Sequence, residues 1–152
     1  MTATKPTNPK DMIGIKKTPF STLPWPVMAE VALAMLEGAA KYGRHNYRAA
    51  GVRASVYFDA AMRHMTDWWE GADHDHDSSA NLHHITKAIA SLMVLRDAMI
   101  RGMAEDDRPP SSPDGWQQEL NDQAAKILDD YSDKSPHHHT IKDVIDVEQE
   151  AP

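Results

Sequence analysis

The chain has 152 residues, a formal net charge of −7 and no cysteine. This length predicts one domain with an appended tail. The negative charge disfavours binding to nucleic acid. The lack of thiols excludes disulfides and thiolate zinc sites. Residues 1–11 lack the apolar stretch of a signal peptide, and no apolar run is long enough to cross a membrane. We therefore expect a cytoplasmic protein that binds neither nucleic acid nor membrane.

Helical patterns dominate the chain. Residues 24–43 predict a helix, because Pro24 and Pro26 suit its first turn and Gly43 suits its end. Three further segments carry good helix formers with apolar residues at a period of 3.6. Their bounds are 52–71, 81–102 and 116–131.

These helices divide the chain into four predicted regions. An extended arm precedes a helix bundle, and a Pro-rich linker then leads to a C-terminal helix with a polar tail. The regions are 1–23, 24–105, 106–115 and 116–152. Because connections within the bundle are short, consecutive helices are expected to pack antiparallel in an all-α fold.

The second helix is expected to bury an apolar stripe in the core. The stripe consists of residues at helical spacing, with Trp69 as its anchor: Phe58, Met62, Met65 and Trp69. Trp68 and His64 lie off this stripe, and they are expected at a subunit interface, with stacking on a base as the alternative.

Each of the first three helices also carries a narrow polar face. At about 100° per residue, such a face collects residues three, four or seven positions apart. The faces are Glu30, Glu37 and Lys41, then Asp59, Arg63, Asp67 and Glu70, then His84, Lys87 and Ser91. Counting residues from the loops sets Glu37 level with Asp59, Glu30 level with Asp67, Asp67 level with His84, and Arg63 level with Lys87.

If these faces converge, four or five carboxylates meet several basic side chains. Crowded carboxylates repel one another unless cations neutralise them. Mg²⁺ or Mn²⁺ does this with oxygen ligands and also holds substrate phosphates, whose oxygens the basic groups would contact. Solvated faces with surface ion pairs are the alternative explanation.

The segment DWWEGADHDHD, residues 67–77, ends the second helix and begins a turn. Its HDHD run is similar to the ligand pair of an HD-type phosphohydrolase, but that pair needs a helix. We therefore expect a solvated turn that caps the third helix through Asp77 or Ser78, with Asp75 dispensable. The loop KYGRHNYR, residues 41–48, is expected either to contact phosphate and sugar or to be an ordinary helix-ending turn.

Several stretches, in order, resemble a known phage family. They are NPKDMIGIKKTPFSTLPWPVMAEVALAMLEGAAKYGRHNYR, YFDAAMRHMTDWWEGADHDHDSS, HITKAIASLMVLRDA and DDRPP, within residues 8–110. The family is called dATP/dGTP diphosphohydrolase, and the likeness is close to its MazZ type. Such enzymes are placed with the all-α, MazG-like nucleoside triphosphate pyrophosphohydrolases.

The resemblance implies hydrolysis of dATP or dGTP to the monophosphate and pyrophosphate. It also implies Mg²⁺ or Mn²⁺ as cofactor and a homo-oligomer, either a dimer or a tetramer. In phages that replace adenine with 2-aminoadenine, dGMP would feed synthesis of the replacement nucleotide, and removal of dATP would favour it. An HD-type phosphohydrolase and a non-catalytic helical phage protein are the alternatives.

The MazG-like motifs, Glu-Glu-x-x-Glu and Glu-x-x-Asp, are not intact in this chain. One mapping places the first near Glu30 and ends the second at Asp59. Another places them at His64–Asp67 and His84–Lys87, where basic groups would replace acids. The first mapping keeps more carboxylates and is preferred.

Under this mapping, each polar group is given a hypothetical role. Glu37 takes a proton from water, while Arg63 and Lys87 meet the charge of the leaving pyrophosphate. The predicted metal ligands are Glu30, Glu37, Asp59, Asp67 and Glu70. The predicted substrate contacts are Lys41, Asn46, Arg48, His64 and His84.

Overall fold

The computed structural model describes residues 8–143, which fall into two compact units that meet in the chain at Asp106 and Asp107. In the first unit the elements are α1 (Pro9–Gly14), a 3-10 turn (Phe20–Thr22), α2 (Trp25–Tyr42), α3 (Asn46–Ala49), β1 (Val52–Arg53), α4 (Ala54–Trp69), α5 (His84–Ile100) and β2 (Ala104–Glu105). The second unit contains α6 (Trp116–Asp130) and a 3-10 turn (Ile141–Asp143). The predicted all-α class is confirmed. The ends of the predicted arm and tail, 1–7 and 144–152, lie outside the described residues.

Local chemistry explains where the long helices begin and end. Pro24 caps α2 with Pro26 in its first turn, and Gly43 ends it with a φ of 89° that glycine adopts without strain. The arm is not wholly extended as predicted, since Asn8 accepts a hydrogen bond from the Lys10 amide at 3.1 Å and starts α1. The predicted loop after α2 likewise contains the short helix α3.

The segment predicted as the first turn of the second helix is instead a strand. Val52 and Arg53 pair in parallel with Ala104 and Glu105, which joins the start of α4 to the end of α5. Gly51 makes this possible: it has a φ of 79°, and a Cβ at this position would lie 2.8 Å from the Met103 carbonyl oxygen. Any other residue here would have to push the two segments apart.

Helix α5 lies between α2 and α4 and makes the main helix contacts of both. The prediction that each helix packs on the next is therefore right for α4 and α5 and wrong for α2, which packs on α5 instead of α4. The buried residues of α5 are mostly small, which lets neighbouring backbones come close. They are His84, Thr86, Ala88, Ala90 and Ala98.

The side of α4 that faces the interior is not the predicted apolar stripe. The more buried side carries small residues and amphipathic rings, namely Ala54, Tyr57, Ala61, His64 and Trp68. Trp69 is 78% exposed and Phe58 is 58% exposed, so the prediction that Trp69 anchors the core is wrong. Small side chains at Ala54 and Ala61 permit close packing on α5, and the large apolar residues are left on the outer face.

The core of the first unit is small. Val31 and Ala34 of α2 meet Leu82 and Ala90, and partly buried side chains pack around them: Met35, Ile89 and Met93. Val31 is the largest side chain that is fully buried within residues 8–143. In that same range, no helix combines the length and apolar character needed to span a membrane.

We expect Val31→Ala to lower the free energy of unfolding by about 2 kcal/mol, because it removes buried methyl groups and leaves a cavity. Urea denaturation followed by circular dichroism measures this change. Val27→Ala is the matched control on the same helix, since Val27 is 38% exposed, and it should cost less than half as much. Equal losses in the two variants would contradict the assigned core.

Candidate functional site

The ammonium group of Lys87 joins three segments of the first unit. Its Nζ lies 3.2 Å from Glu37 Oε2 of α2 and donates a short hydrogen bond to Asp75 Oδ2 in the turn before α5. The three side chains are only 13% to 16% exposed. Lys41, which is more exposed, adds a second cation 3.4 Å from Glu37 Oε1.

Ionisation of this group is controlled by burial and by the ion pairs together. Burial disfavours charge on Glu37, but hydrogen bonding and attraction from Lys87 outweigh it, so the pKa of Glu37 is lowered. The pKa of Asp75 is lowered in the same way, against its burial, by Lys87 and by the Asp77 amide. Burial also disfavours the charge on Lys87, yet both carboxylates raise its pKa. All three groups are therefore charged at neutral pH.

Asp75 reaches this position because the turn folds back on the start of α5. The Asp75 amide donates to the Leu82 carbonyl at 2.8 Å, the His84 amide donates to the Asp73 carbonyl at 2.9 Å, and His74 forms an antiparallel bridge with His83. The prediction of a solvated turn is thus wrong for Asp75.

The cap of the third long helix also differs from the prediction. His83, not Asp77 or Ser78, is the N-cap of α5, and its Nδ1 accepts from the Ile85 amide at 3.1 Å. The Asp77 amide instead donates to Asp75 Oδ1 at 3.0 Å, which helps to hold that carboxylate in place. Ser78 is buried beside Glu37 and contributes to the lowering of its pKa.

A second polar cluster lies between α4 and α5. The Nδ1 atoms of His64 and His84 are 2.9 Å apart, and His84 Nδ1 lies 3.9 Å from Asp67 Oδ2. Burial lowers the pKa of His64, and the charge of Lys87 lowers it further. This contact confirms the prediction that Asp67 and His84 lie at the same height along their helices.

Two predicted residues of α2 contact α5 at different points. Thr86 Oγ1 donates to Glu30 Oε2 at 2.8 Å, while Glu37 contacts Lys87 as described above. Glu30 and Glu37 therefore both contact α5, and the expectation that they lie level with Asp67 and Asp59 of α4 stays a prediction.

The remaining predicted residues lie outside these two clusters. Asp59 and Arg63 line a shallow groove of about 310 Å³ on α4, together with Met62, Thr66 and Asp67. Glu70 is exposed at the end of α4.

The two residues predicted in the loop after α2 occupy the short helix α3. Arg48 is held by Asp97 of α5 through two hydrogen bonds of 2.7 Å, and Asn46 is the half-buried first residue of α3. A side chain held in this way positions α3 on α5.

The five carboxylates predicted as metal ligands do not come together. Within residues 8–143, the groups with three donor atoms close enough to hold an ion are His64, Asp67 and His84, and His137, His139 and Asp143. Of the predicted ligands only Asp67 belongs to either group. The roles assigned to the other four remain predictions.

Sequence patterns indicated neither the contact of Asp75 with Lys87 nor the partner of Arg48. Asp75 stands in an acidic run whose composition is typical of a solvated turn. The local signal against solvation is the apolar Leu82, seven positions later in the chain. Asp97 is 49 positions from Arg48, and no local pattern connects them.

Comparison with known proteins bears on this region of the chain. Residues 7–108 match the family model described as dATP/dGTP diphosphohydrolase, N-terminal. The chain belongs to this family. The matched segment contains both clusters. The predicted family is thereby confirmed, while the MazZ type and the relation to MazG-like enzymes remain predictions.

A relative named dATP/dGTP diphosphohydrolase, from Salmonella phage PMBT28, is 33% identical over 101 residues. The alignment covers 64% of this chain and 33% of the relative, so the chain spans about a third of the relative's length. No solved structure matches the chain significantly.

We expect Lys87→Met to destabilise the protein most at neutral pH. Folding lowers the pKa of Glu37 and Asp75 below their ordinary values of 4.5 and 3.8, so their ion pairs stabilise the fold above those values and are lost below them. Without Lys87 the buried carboxylates oppose folding until they are protonated. The difference in unfolding free energy between wild type and variant should therefore narrow as the pH falls below about 4.5.

Denaturant unfolding at a series of pH values measures this difference. Lys41→Met is the matched control, because Lys41 contacts Glu37 but is about half exposed, and its effect should be smaller. A destabilisation by Lys87→Met that stayed constant from neutral to acid pH would contradict the assigned ion pairs.

Proposed function

We propose that this chain hydrolyses dATP and dGTP to the deoxynucleoside monophosphate and pyrophosphate, with Mg²⁺ or Mn²⁺ as cofactor. The observation that supports this most directly is Lys87 held between two largely buried carboxylates, Glu37 and Asp75, within the segment that matches the family. Such a site offers a cation to phosphate oxygens and carboxylates to a hard metal ion.

The donor chemistry fits Mg²⁺ or Mn²⁺ better at this site than across the predicted set of five carboxylates. Mg²⁺ is usually bound by one or two carboxylates together with substrate phosphates, and Glu37 and Asp75 provide two, both ionised. When bound, such an ion would neutralise phosphate oxygens and activate water as a nucleophile. Asp75 thus joins Glu37 as a proposed ligand. The other predicted ligands, Glu30, Asp59, Asp67 and Glu70, would require rearrangement to share it.

Lys87 is proposed to move its hydrogen bonds from the carboxylates to the phosphates when substrate binds. Lys41 adds positive charge beside it, and Arg63 would add more from the groove on α4. These cations would stabilise the negative charge that collects on pyrophosphate as it leaves.

Glu37 is proposed as the proton acceptor. In the free protein Lys87 lowers its pKa and makes it a weak base. Transfer of Lys87 to a phosphate would remove that lowering and free a Glu37 oxygen to accept a proton. Water attacks the α-phosphorus, its proton passes to Glu37, and the bond from the α-phosphorus to the bridging oxygen breaks, so that pyrophosphate carries that oxygen away.

Two further parts of the proposal rest on no contact in the structure: the first comes from the sequence pattern, and the second from the family resemblance. His64, His84, Asn46 and Arg48 are proposed to contact the nucleotide, although Arg48 already holds Asp97. In a phage that uses 2-aminoadenine, the reaction would remove dATP and supply dGMP for the replacement nucleotide.

The activity is tested by incubating the protein with dGTP or dATP and Mn²⁺ or Mg²⁺ and separating the products by ion-exchange chromatography. We expect the monophosphate and pyrophosphate, and no turnover with a chelator present. Deoxynucleoside and triphosphate would instead indicate HD-type chemistry, and no turnover of either nucleotide would indicate a non-catalytic protein.

Substitutions in the Lys87 cluster should reduce kcat/KM with dGTP. We expect Glu37→Gln, Asp75→Asn and Lys87→Met each to reduce it by about 100-fold or more, as for the loss of one transition-state contact. Asp77→Asn is the matched control, because Asp77 is exposed in the same turn and only its amide contacts Asp75. If Asp75→Asn were as active as Asp77→Asn, the turn would have no part in the reaction.

We also propose that the protein is a homo-oligomer in which a second copy covers the outer face of α4. The first unit buries few large apolar side chains, and the exposed stripe of α4 would leave a large apolar patch in water. This stripe consists of Phe58, Met62, Met65 and Trp69. A second copy would remove it from water and add to a small core.

Phe58→Glu should reduce the molar mass of the protein in solution, because it places a charge in the middle of this interface. Light scattering coupled to size-exclusion chromatography measures the mass, which for wild type should be at least twice the 17.0 kDa of one chain. Ile13→Glu, at an exposed residue of α1, is the control and should leave the mass unchanged. A wild-type protein that eluted as a single chain would rule the interface out.

A further inference from the structure

The cluster of His64, Asp67 and His84 differs chemically from the Lys87 site. It offers two imidazole nitrogens and one carboxylate oxygen, with all three donor atoms within 4.8 Å of one another. Imidazole suits ions such as Zn²⁺, Co²⁺ and Ni²⁺ better than it suits Mg²⁺. Two histidines and one carboxylate are enough protein ligands for such an ion and leave positions open for water or an anion.

The distances match a coordination sphere. Two nitrogens each 2.0–2.1 Å from one ion lie about 2.9 Å apart at a right angle and about 3.4 Å apart in a tetrahedron. The observed distance between the Nδ1 atoms of His64 and His84 is 2.9 Å. Asp67 Oδ2 lies 3.9 Å from His84 Nδ1, somewhat too far, but its side chain is 56% exposed and can rotate inward.

Helix packing orients the two histidines before any ion arrives. His84 is buried in the first turn of α5, and its side chain is 7% exposed. His64 is half-buried on the same side of α4 as Ala61 and Trp68, and its ring contacts His84 of α5. Ligands held on packed helices lose little freedom when they bind an ion, which favours affinity.

The position of the histidines excludes one protonation state. Two protonated Nδ1 atoms cannot approach to 2.9 Å, because both would be donors. At least one Nδ1 lone pair therefore points toward the other ring, where either a proton or a metal ion can occupy the space between them.

We propose that His64, Asp67 and His84 bind one divalent transition-metal ion per chain. The donor atoms of this site differ from the carboxylates of Glu37 and Asp75. His64 and His84 are also among the proposed nucleotide contacts, but the binding test needs no nucleotide, so it stands or fails apart from the proposed function. The ion would have open coordination positions at the junction of α4 and α5.

Binding is tested with Co²⁺, whose visible absorption reports the ligands, and by isothermal titration calorimetry with Zn²⁺. The protein must carry no histidine tag. The exposed group His137, His139 and Asp143 also offers three donor atoms, so every variant should be made in a His137→Ala, His139→Ala background. We expect one Co²⁺ per chain in this background, with no competition from equimolar Mg²⁺.

His64→Gln and Asp67→Asn should each weaken Co²⁺ binding by about tenfold or more, and both should change the visible spectrum. His76→Gln, at an exposed histidine of the turn outside both groups, is the matched control and should bind as the background protein does. Circular dichroism checks that each variant folds. If His64→Gln does not fold, Asp67→Asn decides the test, because Asp67 is exposed and its substitution should leave the fold intact. Absence of stoichiometric binding, or equal affinity in Asp67→Asn and His76→Gln, would overturn the proposal.

Discussion

The ammonium group of Lys87 is shared by two carboxylates that come from different parts of the chain. Glu37 stands on α2 and Asp75 in the turn before α5, and each is nearly enclosed by protein. A carboxylate taken out of water in this way is stable only with a cation beside it. Lys87 therefore holds α2 and the turn against α5, and removing it would leave two charges that repel each other.

The first turn of α5 distributes the polar groups of the candidate site. His84 points to His64 and Asp67 of α4, Thr86 donates to Glu30 of α2, and Lys87 meets Glu37 and Asp75. Successive positions on a helix differ in direction by about 100°, so neighbouring residues of one turn reach different partners. One helical turn thus assembles a nitrogen-rich cluster on one side and a charged cluster on the other.

Close packing of α4 on α5 has consequences on both faces of α4. Alanines on the inner face let the helices approach, and His64 becomes half-buried against His84. The large apolar residues are turned outward, where Phe58 and Trp69 are mostly exposed. The same packing that forms the histidine pair therefore creates the surface we assign to a second copy of the chain.

The sequence by itself determined the helical class, the approximate bounds of the long helices and the family. These depend on local properties: helix propensity, proline at a first turn, glycine at an end, and motifs read in order along the chain. It also placed Asp67 level with His84, because one turn joins their two helices. Helical phase placed Glu37 and Lys41 on one face and Lys87 on another, and these polar faces were expected to converge.

Only the tertiary structure decided which helix packs on which, and therefore which polar groups meet. Counting residues from loops assumes that neighbours in the chain are neighbours in space, and α5 lies between α2 and α4 instead. An apolar stripe has the same period whether it faces the core or another subunit, so the sequence could not tell the exposed Trp69 from the half-buried Trp68. Asp75 reaches Lys87 because hydrogen bonds fold the turn back on residues 82 and 84, and composition does not encode these bonds.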